Sequence, residues 1–273
     1  MAQALLFRAA MPTIKIPKFL LATLLVSLAI SACGPPEIAE FGTAKAGGTS
    51  SPDPAASPTP EATPAEPEGG PRSKGIDVSE FQGTINWTKV KAAGKDFAFI
   101  RVSDGTGHSD TEFSTNWSQA KSAGLLRGAY QFMRASDDAN AQANLLLSKL
   151  GNDIGELPAT LDVEVTDGES DARIRSVIFT WVEKVKAATG REPIVYTSPG
   201  FWSQIGYGTT YTTLWVAHWG VANPTVPNSW NDWMFWQYTS TGHVNGIAGN
   251  VDLDEFHGAL EDLHEFALTG AIQ

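Results

Sequence analysis

The sequence predicts an α/β fold for the region from residue 75 onward, in the form of an irregular, TIM-like barrel. Three observations favour this fold. Strand-like and helix-like segments alternate through the first two thirds of the region, as in parallel strands joined by right-handed helical crossovers. The last third carries strand-like segments without helices between them. The 199 residues from 75 to 273 fall short of the about 250 residues of a complete eightfold barrel, so we expect about five strand–helix units followed by strands.

The predicted strands are short apolar runs, several of which alternate apolar and polar positions. Such alternation gives a strand two different faces. In chain order the strands are GIDVS (75–79), FAFIRVS (97–103), LRGAYQFM (126–133), ATLDVEV (159–165), PIVYTS (193–198), LWVAHW (214–219), MFWQYT (234–239) and GNVDLDEF (249–256).

The predicted helices lie between the first five strands, and most of them end in glycine, which readily adopts the left-handed conformation of a helix C-cap. They are Trp87–Ala93, Phe113–Gly124, Asp137–Gly151 and Asp171–Gly190. An open doubly wound sheet is the main alternative to the barrel. No GxGxxG or GxxxxGK[ST] motif follows the first strand, so a nucleotide-binding form of that sheet is disfavoured.

Residues 1–32 have the pattern of a bacterial signal peptide. Basic residues precede an apolar run over residues 19–30, which is shorter than a comfortable membrane span. The run ends in ISAC, and Cys33 is the only cysteine of the chain. This resembles a lipoprotein signal, whose cysteine becomes lipidated; an ordinary secretory signal is the alternative. We expect an exported protein, lipid-anchored at the outer membrane because Gly34 rather than Asp follows the cysteine, or secreted if it is not lipidated.

Residues 33–74 are expected to be the lipidated cysteine followed by a disordered linker. Nine of the sixteen prolines fall here, among Gly, Ser, Thr, Ala and Glu. A segment of this composition has almost nothing to bury and stays extended. The remaining residues, 75–273, suit one folded domain in length.

Charge and composition exclude some partners. A formal charge of −11 argues against nucleic acid, because phosphate recognition requires a basic surface. No histidines have HxxxH spacing and no CxxC occurs, so a metal site of nitrogen and sulfur ligands is not expected. We expect no cofactor, membrane contact only through the lipid anchor, and a monomer.

Carboxylates recur at the ends of predicted strands, where TIM-like barrels place their functional groups. Asp77 lies on the polar face of the first strand, Asp162 and Glu164 share one face of ATLDVEV, and Asp252 and Asp254 share one face of VDLDEF. Two partly desolvated carboxylates at this spacing separate in pKa, which suits a general acid beside an ionised partner. We expect Glu164 to carry the proton and Asp162 to stay ionised.

Aromatic residues help to decide whether these acids bind calcium or act on a sugar. A calcium site also takes several oxygens, but no EF-hand-like D-x-D-x-D-G loop occurs. Aromatic rings with polar edges suit the faces of sugars, although more than half of the clustered tryptophans are expected to be structural. Acids and aromatics at a barrel mouth indicate glycoside hydrolysis, which uses a pair of carboxylates. The clustered tryptophans are Trp202, Trp215, Trp219, Trp230, Trp233 and Trp236.

Seven motifs in this order resemble glycoside hydrolase family 25, the Chalaropsis-type lysozymes or N-acetylmuramidases. They are GIDVSEFQGTINW, GAYQF, LDVE, PIVYTS, LWVAHW, WQYTSTG and VDLDEF. The resemblance spans residues 74–257 and implies an α/β barrel of the (β/α)5(β)3 type. It also implies hydrolysis of the β-1,4 bond between N-acetylmuramic acid and N-acetylglucosamine in peptidoglycan glycan strands, by substrate-assisted retention.

The resemblance implies roles for individual residues. Glu164 matches the catalytic general acid/base, and Asp162 matches the residue that orients the substrate's 2-acetamido group. Asp77 and Asp252 match two further active-site aspartates. The positions that match substrate-binding residues are Tyr130, Tyr196, Trp219, Gln131 in place of a common His, and Arg101 in place of a common Lys.

Two functional alternatives stay open at this point. A barrel that has lost catalysis would bind wall glycans without cutting them, although all four matching acids are present. An active barrel could also cut a different glycan, such as a chitin-like polymer. Asp254 stands where Asn is frequent in the family, and we expect it to be structural.

Overall fold

A computed structural model describes residues 70–205 and 213–270. The strands in these ranges are β1 (Lys74–Val78), β2 (Phe97–Asp104), β3 (His108–Ser109), β4 (Leu126–Phe132), β5 (Thr160–Asp162), β6 (Ile194–Thr197), β7 (Thr213–Ala217), β8 (Phe235–Gly242) and β9 (Val251–Phe256). The helices are α1 (Trp87–Ala92), α2 (Phe113–Ser122), α3 (Ala139–Leu150), α4 (Asp171–Thr189), α5 (Pro199–Gln204) and α6 (Leu260–Thr269).

Eight of the described strands close into a barrel, with the order β1-β9-β8-β7-β6-β5-β4-β2 and a final pairing of β1 with β2. Neighbouring strands are parallel except at β9, which runs antiparallel to both β8 and β1. Helices follow the first five barrel strands and are absent between β7, β8 and β9. The predicted α/β class and the irregular (β/α)5(β)3 barrel are therefore confirmed.

Local sequence signals start and stop the helices. The side chains of Asn86, Asp138 and Ser170 accept hydrogen bonds from backbone N–H groups in the first turns of α1, α3 and α4. These caps satisfy donors that have no partner within the helix. Gly190 ends α4 in the left-handed conformation, with φ of 69°, which glycine adopts without a Cβ penalty.

Successive side chains of a barrel strand point alternately into the barrel and outward to the helices, and both sets are mainly apolar. The interior is filled mainly by rings, which contact one another edge-on or stacked: Phe97, Phe99, Tyr130, Tyr196, Trp215, Phe235 and Phe256. The outer face carries aliphatic side chains that pack against the helices, as Leu161 and Val163 pack with Ile174 and Val177 of α4. The barrel is thus a packed core, and only its mouth is open.

Two glycines make room for the interior rings. A Cβ at Gly75 would lie 2.2 Å from the ring of Phe97, and one at Gly128 would lie 2.3 Å from the ring of Phe99.

Helix α6 covers the end of the barrel at which the parallel strands begin. Its Phe266 packs against Phe235 with ring centroids 5.6 Å apart. The N-terminal end of the parallel strands is therefore closed, which leaves the other end for a site.

Three local features differ from the sequence-based expectations. The predicted strand over 159–165 is shorter, since β5 ends at Asp162. Two helices were not predicted: the short α5 after β6, and α6 after β9. The side chain of Ser198 caps α5, and α6 buries Leu263 and Phe266 on one side. The two-residue hairpin strand β3 was not among the predicted strands.

The predicted signal peptide over residues 1–32, the lipidation of Cys33 and most of the predicted linker over 33–74 lie outside the described residues. In residues 70–205 and 213–270, no helix is long and apolar enough to cross a membrane.

Candidate active site

An open cleft of about 290 Å³ lies at the C-terminal ends of the parallel strands. It collects carboxyl, aromatic and hydroxyl groups from most strands of the barrel. Its lining residues include Asp77, Ser79, Phe81, Arg101, Tyr130, Asp162, Glu164, Tyr196, Trp215, Trp219, Gln237 and Asp252. All four acids that the sequence predicts as catalytic are in this set.

The topology explains why acids from distant segments meet. Asp77 and Asp162 face inward near the C-terminal ends of β1 and β5, at the mouth of the barrel. Asp252 lies at the N-terminal end of β9, and because β9 is antiparallel this end reaches the same mouth. The register pairs Asp252 directly with Asp77.

Glu164 reaches the cleft from just beyond β5 rather than from the strand itself. The backbone N–H of Val163 still donates to the carbonyl of Tyr196 at 2.9 Å, which holds the chain in an extended path past Asp162. Asp162 is buried, whereas Glu164 is exposed at the rim. Asp162 and Glu164 thus both face the cleft, as expected, with the carboxyl of Asp162 buried beneath the accessible carboxyl of Glu164.

The electrostatic environment raises the pKa of both carboxyl groups. Burial, followed by the charge of Glu164, raises the pKa of Asp162 well above its ordinary value, and the charge of Arg101 opposes this. Desolvation in the cleft, followed by the charge of Asp252, raises the pKa of Glu164. Burial therefore opposes the ionised form that we expected for Asp162, whereas the charge of Arg101 favours it. The assignment of the proton to Glu164 rather than to Asp162 stays a prediction. The pair keeps a proton to a higher pH than isolated carboxyl groups would.

The other two acids occupy the opposite wall of the cleft. Burial, followed by the charge of Asp254, raises the pKa of Asp77 well above its ordinary value. Burial raises the pKa of Asp252 to about 6. Both groups therefore keep a proton to a higher pH than ordinary aspartates do.

Two tyrosines form the floor between these walls. Tyr130 and Tyr196 face inward from β4 and β6, and both are almost fully buried. Burial is the main reason why their pKa values are well above the ordinary one, with Asp77 adding most to the shift of Tyr130 and Asp162 to that of Tyr196. Both phenols therefore stay protonated. Tyr196 donates its proton to Gln237, whereas Tyr130 can donate a hydrogen bond into the cleft.

Gln237 is a cleft residue with three polar partners that the sequence analysis missed. Its Nε2 donates to Oδ2 of Asp77 at 2.7 Å, and its Oε1 accepts from the hydroxyl of Tyr196 and from Nε1 of Trp219, both at 3.0 Å. Because the indole of Trp219 can only donate, the orientation of the amide is fixed. Gln237 lies in the motif WQYTSTG, but the sequence analysis searched strand ends for carboxylates and therefore did not select this amide.

Arg101 is the basic side chain among the lining residues, and it is held by two acids. Its Nε donates to Asp110 at 2.9 Å and its Nη2 donates to Glu80 at 3.4 Å. Its guanidinium lies 4.8 Å from the ring centroid of Phe81, which is 80% exposed at the rim. Arg101 reaches the cleft as predicted, and Phe81 is an exposed aromatic that the sequence analysis did not single out.

The structure corrects the expectation for Gln131. Its side chain points away from the cleft, to the outer face of β4, and is fully buried. There its Oε1 accepts from Nε1 of Trp181 at 2.6 Å and its Nε2 donates to Ser103 at 2.8 Å. Strand alternation places Tyr130 inside and Gln131 outside, so the prediction that Gln131 binds substrate is wrong.

The clustered tryptophans divide as expected. Trp219 is 53% exposed at the cleft, whereas Trp202, Trp215, Trp230, Trp233 and Trp236 are buried. Trp215 stacks on Phe99 with centroids 4.3 Å apart and forms part of the cleft floor. In the described ranges, no group of three or more His, Cys, Asp or Glu side chains is arranged to hold a metal ion.

Comparisons with known proteins agree with this geometry. The family model for glycosyl hydrolases family 25 matches residues 76–247. Lysozyme M1 of Streptomyces globisporus is 40% identical over 200 residues, which cover 68% of this chain and 68% of that protein. N,O-diacetylmuramidase of Arthroderma benhamiae is 28% identical over 211 residues, which cover 72% of this chain and 87% of that protein.

Solved structures show the same similarity. The crystal structure of the bacterial lysozyme from Streptomyces coelicolor superposes with a TM-score of 0.68 at 38% identity, and the match covers 73% of this chain and 98% of that chain. The family GH25 lysozyme from Aspergillus fumigatus superposes with a TM-score of 0.65 at 27% identity, over 72% of this chain and 99% of that chain. The chain therefore belongs to glycosyl hydrolases family 25, and it is a glycoside hydrolase.

Proposed function

We propose that this protein is a lysozyme that hydrolyses the β-1,4 bond between N-acetylmuramic acid and N-acetylglucosamine in peptidoglycan. The observation that carries the proposal is the accessible Glu164 above the buried Asp162, in a cleft that two further acids face. An open cleft lined by carboxyl and aromatic groups suits a glycan strand that extends beyond the site at both ends.

Glu164 acts as the general acid. It lies at the rim, where a glycosidic oxygen can come within hydrogen-bonding reach, and its raised pKa keeps it protonated to a higher pH than an ordinary glutamate. In the first step its proton passes to the leaving oxygen of N-acetylglucosamine while the bond from that oxygen to C1 of N-acetylmuramic acid breaks. In the second step Glu164 takes a proton from the water that adds to C1.

Asp162 orients the 2-acetamido group of N-acetylmuramic acid. The acetamido oxygen attacks C1 from the face opposite the leaving group, and water then displaces it, so the configuration at C1 is retained. The reaction makes the acetamido N–H more acidic, and a carboxylate beneath it is stabilising. The charge of Arg101 favours the ionised form of Asp162, which supports this role.

The remaining lining residues position the sugar. Tyr130 offers a hydroxyl donor from the floor, the hydroxyl oxygen of Tyr196 offers an acceptor, and Asp77 and Asp252 offer acceptors from the opposite wall. The indole of Trp219 lies exposed at the rim with its Nε1 tied to Gln237, which leaves its face free to stack on a pyranose ring.

The proposal is tested by the chemistry of the products. Purified peptidoglycan is digested with the protein, borohydride reduces the new ends, and mass spectrometry identifies the reduced sugar. We expect reduced N-acetylmuramic acid at the new ends. Reduced N-acetylglucosamine would contradict the bond assignment, and an unchanged polymer that nevertheless binds the protein would favour the non-catalytic alternative.

The proposal includes export and a lipid anchor at Cys33, supported by the ISAC motif that precedes the proline-rich segment. The anchor is expected at the outer membrane, with the barrel reaching glycan strands through the spacer. Expression of the full chain with a clickable fatty acid should label the wild type, and Cys33→Ser should remove the label and release the protein from the membrane fraction. Equal membrane retention of both proteins would contradict the anchor.

A further inference from the structure

A fifth carboxyl group lies deeper in the barrel than the four acids of the cleft. Asp254 lies on β9, two residues below Asp252, and none of its surface is exposed. Its Oδ1 accepts from Nε1 of Trp215 at 3.0 Å. Its Oδ2 is buried, and no donor within the described residues reaches it. A buried carboxylate oxygen without a donor is costly, so its surroundings call for an explanation.

The group within reach of Asp254 is the carboxyl of Asp77. The strand register places Gly75 opposite Asp254, and Gly75 contributes no side chain. The next inward residue of β1 is Asp77, whose carboxyl is within hydrogen-bonding reach of Asp254. Two ionised carboxylates have only acceptors, so this contact needs a proton between them.

We propose that Asp254 is a positioning residue that shares one proton with Asp77 and thereby holds the Asp77 carboxyl against the cleft wall. The shared proton gives Oδ2 of Asp254 its missing partner. Gln237 holds Asp77 from another side through the 2.7 Å hydrogen bond to Oδ2 of Asp77. The pair then carries one negative charge instead of two. This inference rests on the proposed function, in which Asp77 faces the substrate.

The surroundings favour a single proton on the pair. Burial is the largest cause that raises the pKa of both Asp77 and Asp254, and neighbouring carboxylates add to it. One buried cation, Lys95, lowers the pKa of Asp254 without forming a direct ion pair with it among the described contacts. The charged and hydrogen-bonding groups that face the pair from other positions are Asp162, Asp252, Lys95, Trp215 and Gln237.

The shared proton predicts how stability depends on pH. Because the folded pKa is raised, the folded protein keeps a proton that the unfolded chain has released. The wild type therefore loses stability as pH rises from the ordinary pKa of aspartate through the raised value. Asp254→Asn keeps the shape, donates an N–H to Asp77 and has no proton to lose. We expect the Tm of this variant, relative to the wild type, to rise by about 3 °C or more between pH 4 and pH 8.

A matched control comes from the same interior. Thr160 of β5 is fully buried, and its hydroxyl has no partner among the described residues. Thr160→Val removes a polar group from the barrel without removing a titratable one, so its Tm relative to the wild type should not change with pH. If the difference in Tm between Asp254→Asn and the wild type were also the same at pH 4 and pH 8, the proposal of a shared proton would be overturned.

Activity tests the positioning role separately. Asp254→Leu removes the proton partner, and we expect kcat/KM on soluble peptidoglycan fragments to fall about tenfold. Asp254→Asn should recover most of that loss, because its amide can still hold Asp77. Equal losses in the two variants, or full activity of a folded Leu variant, would overturn the role. If the wild type released no muramic acid ends, the proposed function would fail, while the pH dependence of Tm would still report on the proton.

Discussion

Replacement of Gln237 by leucine tests whether one amide organises the cleft. The side chain holds Asp77, Tyr196 and Trp219 at once, through hydrogen bonds of 2.7, 3.0 and 3.0 Å. Leucine has a similar volume and no polar atoms, so Gln237→Leu removes all three bonds with little change in packing. The buried position of Gln237, 3% exposed, means that water cannot simply take its place.

The expected loss of stability follows from the burial of each partner. The hydrogen bond to the Asp77 carboxyl contributes about 1.5–3 kcal/mol, and the bond from the buried Tyr196 hydroxyl contributes about 1 kcal/mol. The bond from Trp219 contributes close to nothing, because water replaces it at the exposed rim. The sum, about 3 kcal/mol, corresponds to a fall in Tm of about 6–12 °C for a domain of this size.

The assay combines thermal unfolding with kinetics on peptidoglycan fragments. We expect the stability loss above and a fall in kcat/KM of about tenfold to a hundredfold, since Asp77 and Tyr196 lose their fixed orientation. Trp219→Phe is the matched control: it removes one exposed hydrogen bond and should change Tm by less than about 2 °C. A Gln237→Leu protein with wild-type Tm and activity would refute the reasoning.

Two further predictions concern the pH range of activity and the barrel interior. Because the pKa of Glu164 is raised, activity should decline as pH rises through that raised value; a kcat/KM profile that rises steadily from pH 6 to pH 9 would contradict the acid role. Gly75→Ala places a Cβ 2.2 Å from the ring of Phe97 and should destabilise the fold by about 1–3 kcal/mol in chemical denaturation; an unchanged midpoint would show that the interior repacks freely.

Much of the fold is readable from the sequence because the barrel units are locally consistent. The four predicted helices match α1 to α4 within two residues at each end. Their capping residues and terminal glycines lie next to the helices in the sequence, so the sequence alone indicates where each helix begins and ends. The strands of the last third are equally clear. Closure of the barrel at β1 and β9 could only be inferred, because it depends on pairing between opposite ends of the domain.

The acids of the cleft are also readable, but their electrostatics are not. The strand-end positions of Asp77, Asp162 and Asp252 follow from alternation and topology. The burial of Asp162, which raises its pKa, depends on neighbours from other strands, so the sequence pattern does not contain it. Gln131 was misplaced by the resemblance alone, although alternation with Tyr130 could have excluded it.

The deeper contacts of the cleft depend on distances between strands that sequence patterns do not contain. Gln237 is one polar residue among many in the last third, and its importance comes from three partners on other elements. Asp254 was expected to be structural because it stands where Asn is frequent in the family, and nothing in VDLDEF indicates that its carboxyl lies close to that of Asp77. Such residues are found only once the barrel is closed.

The central claim is that the carboxyl of Glu164 donates the proton that cleaves the glycan. The most direct measurement is the rate of muramic acid end formation by Glu164→Gln, which keeps the shape of the side chain and removes the acid. Glu169→Gln, in the exposed segment that follows, is the matched control. We expect Glu164→Gln to lose at least about a thousandfold in kcat with unchanged Tm, and Glu169→Gln to retain wild-type kcat. A folded Glu164→Gln protein with wild-type turnover would contradict the account.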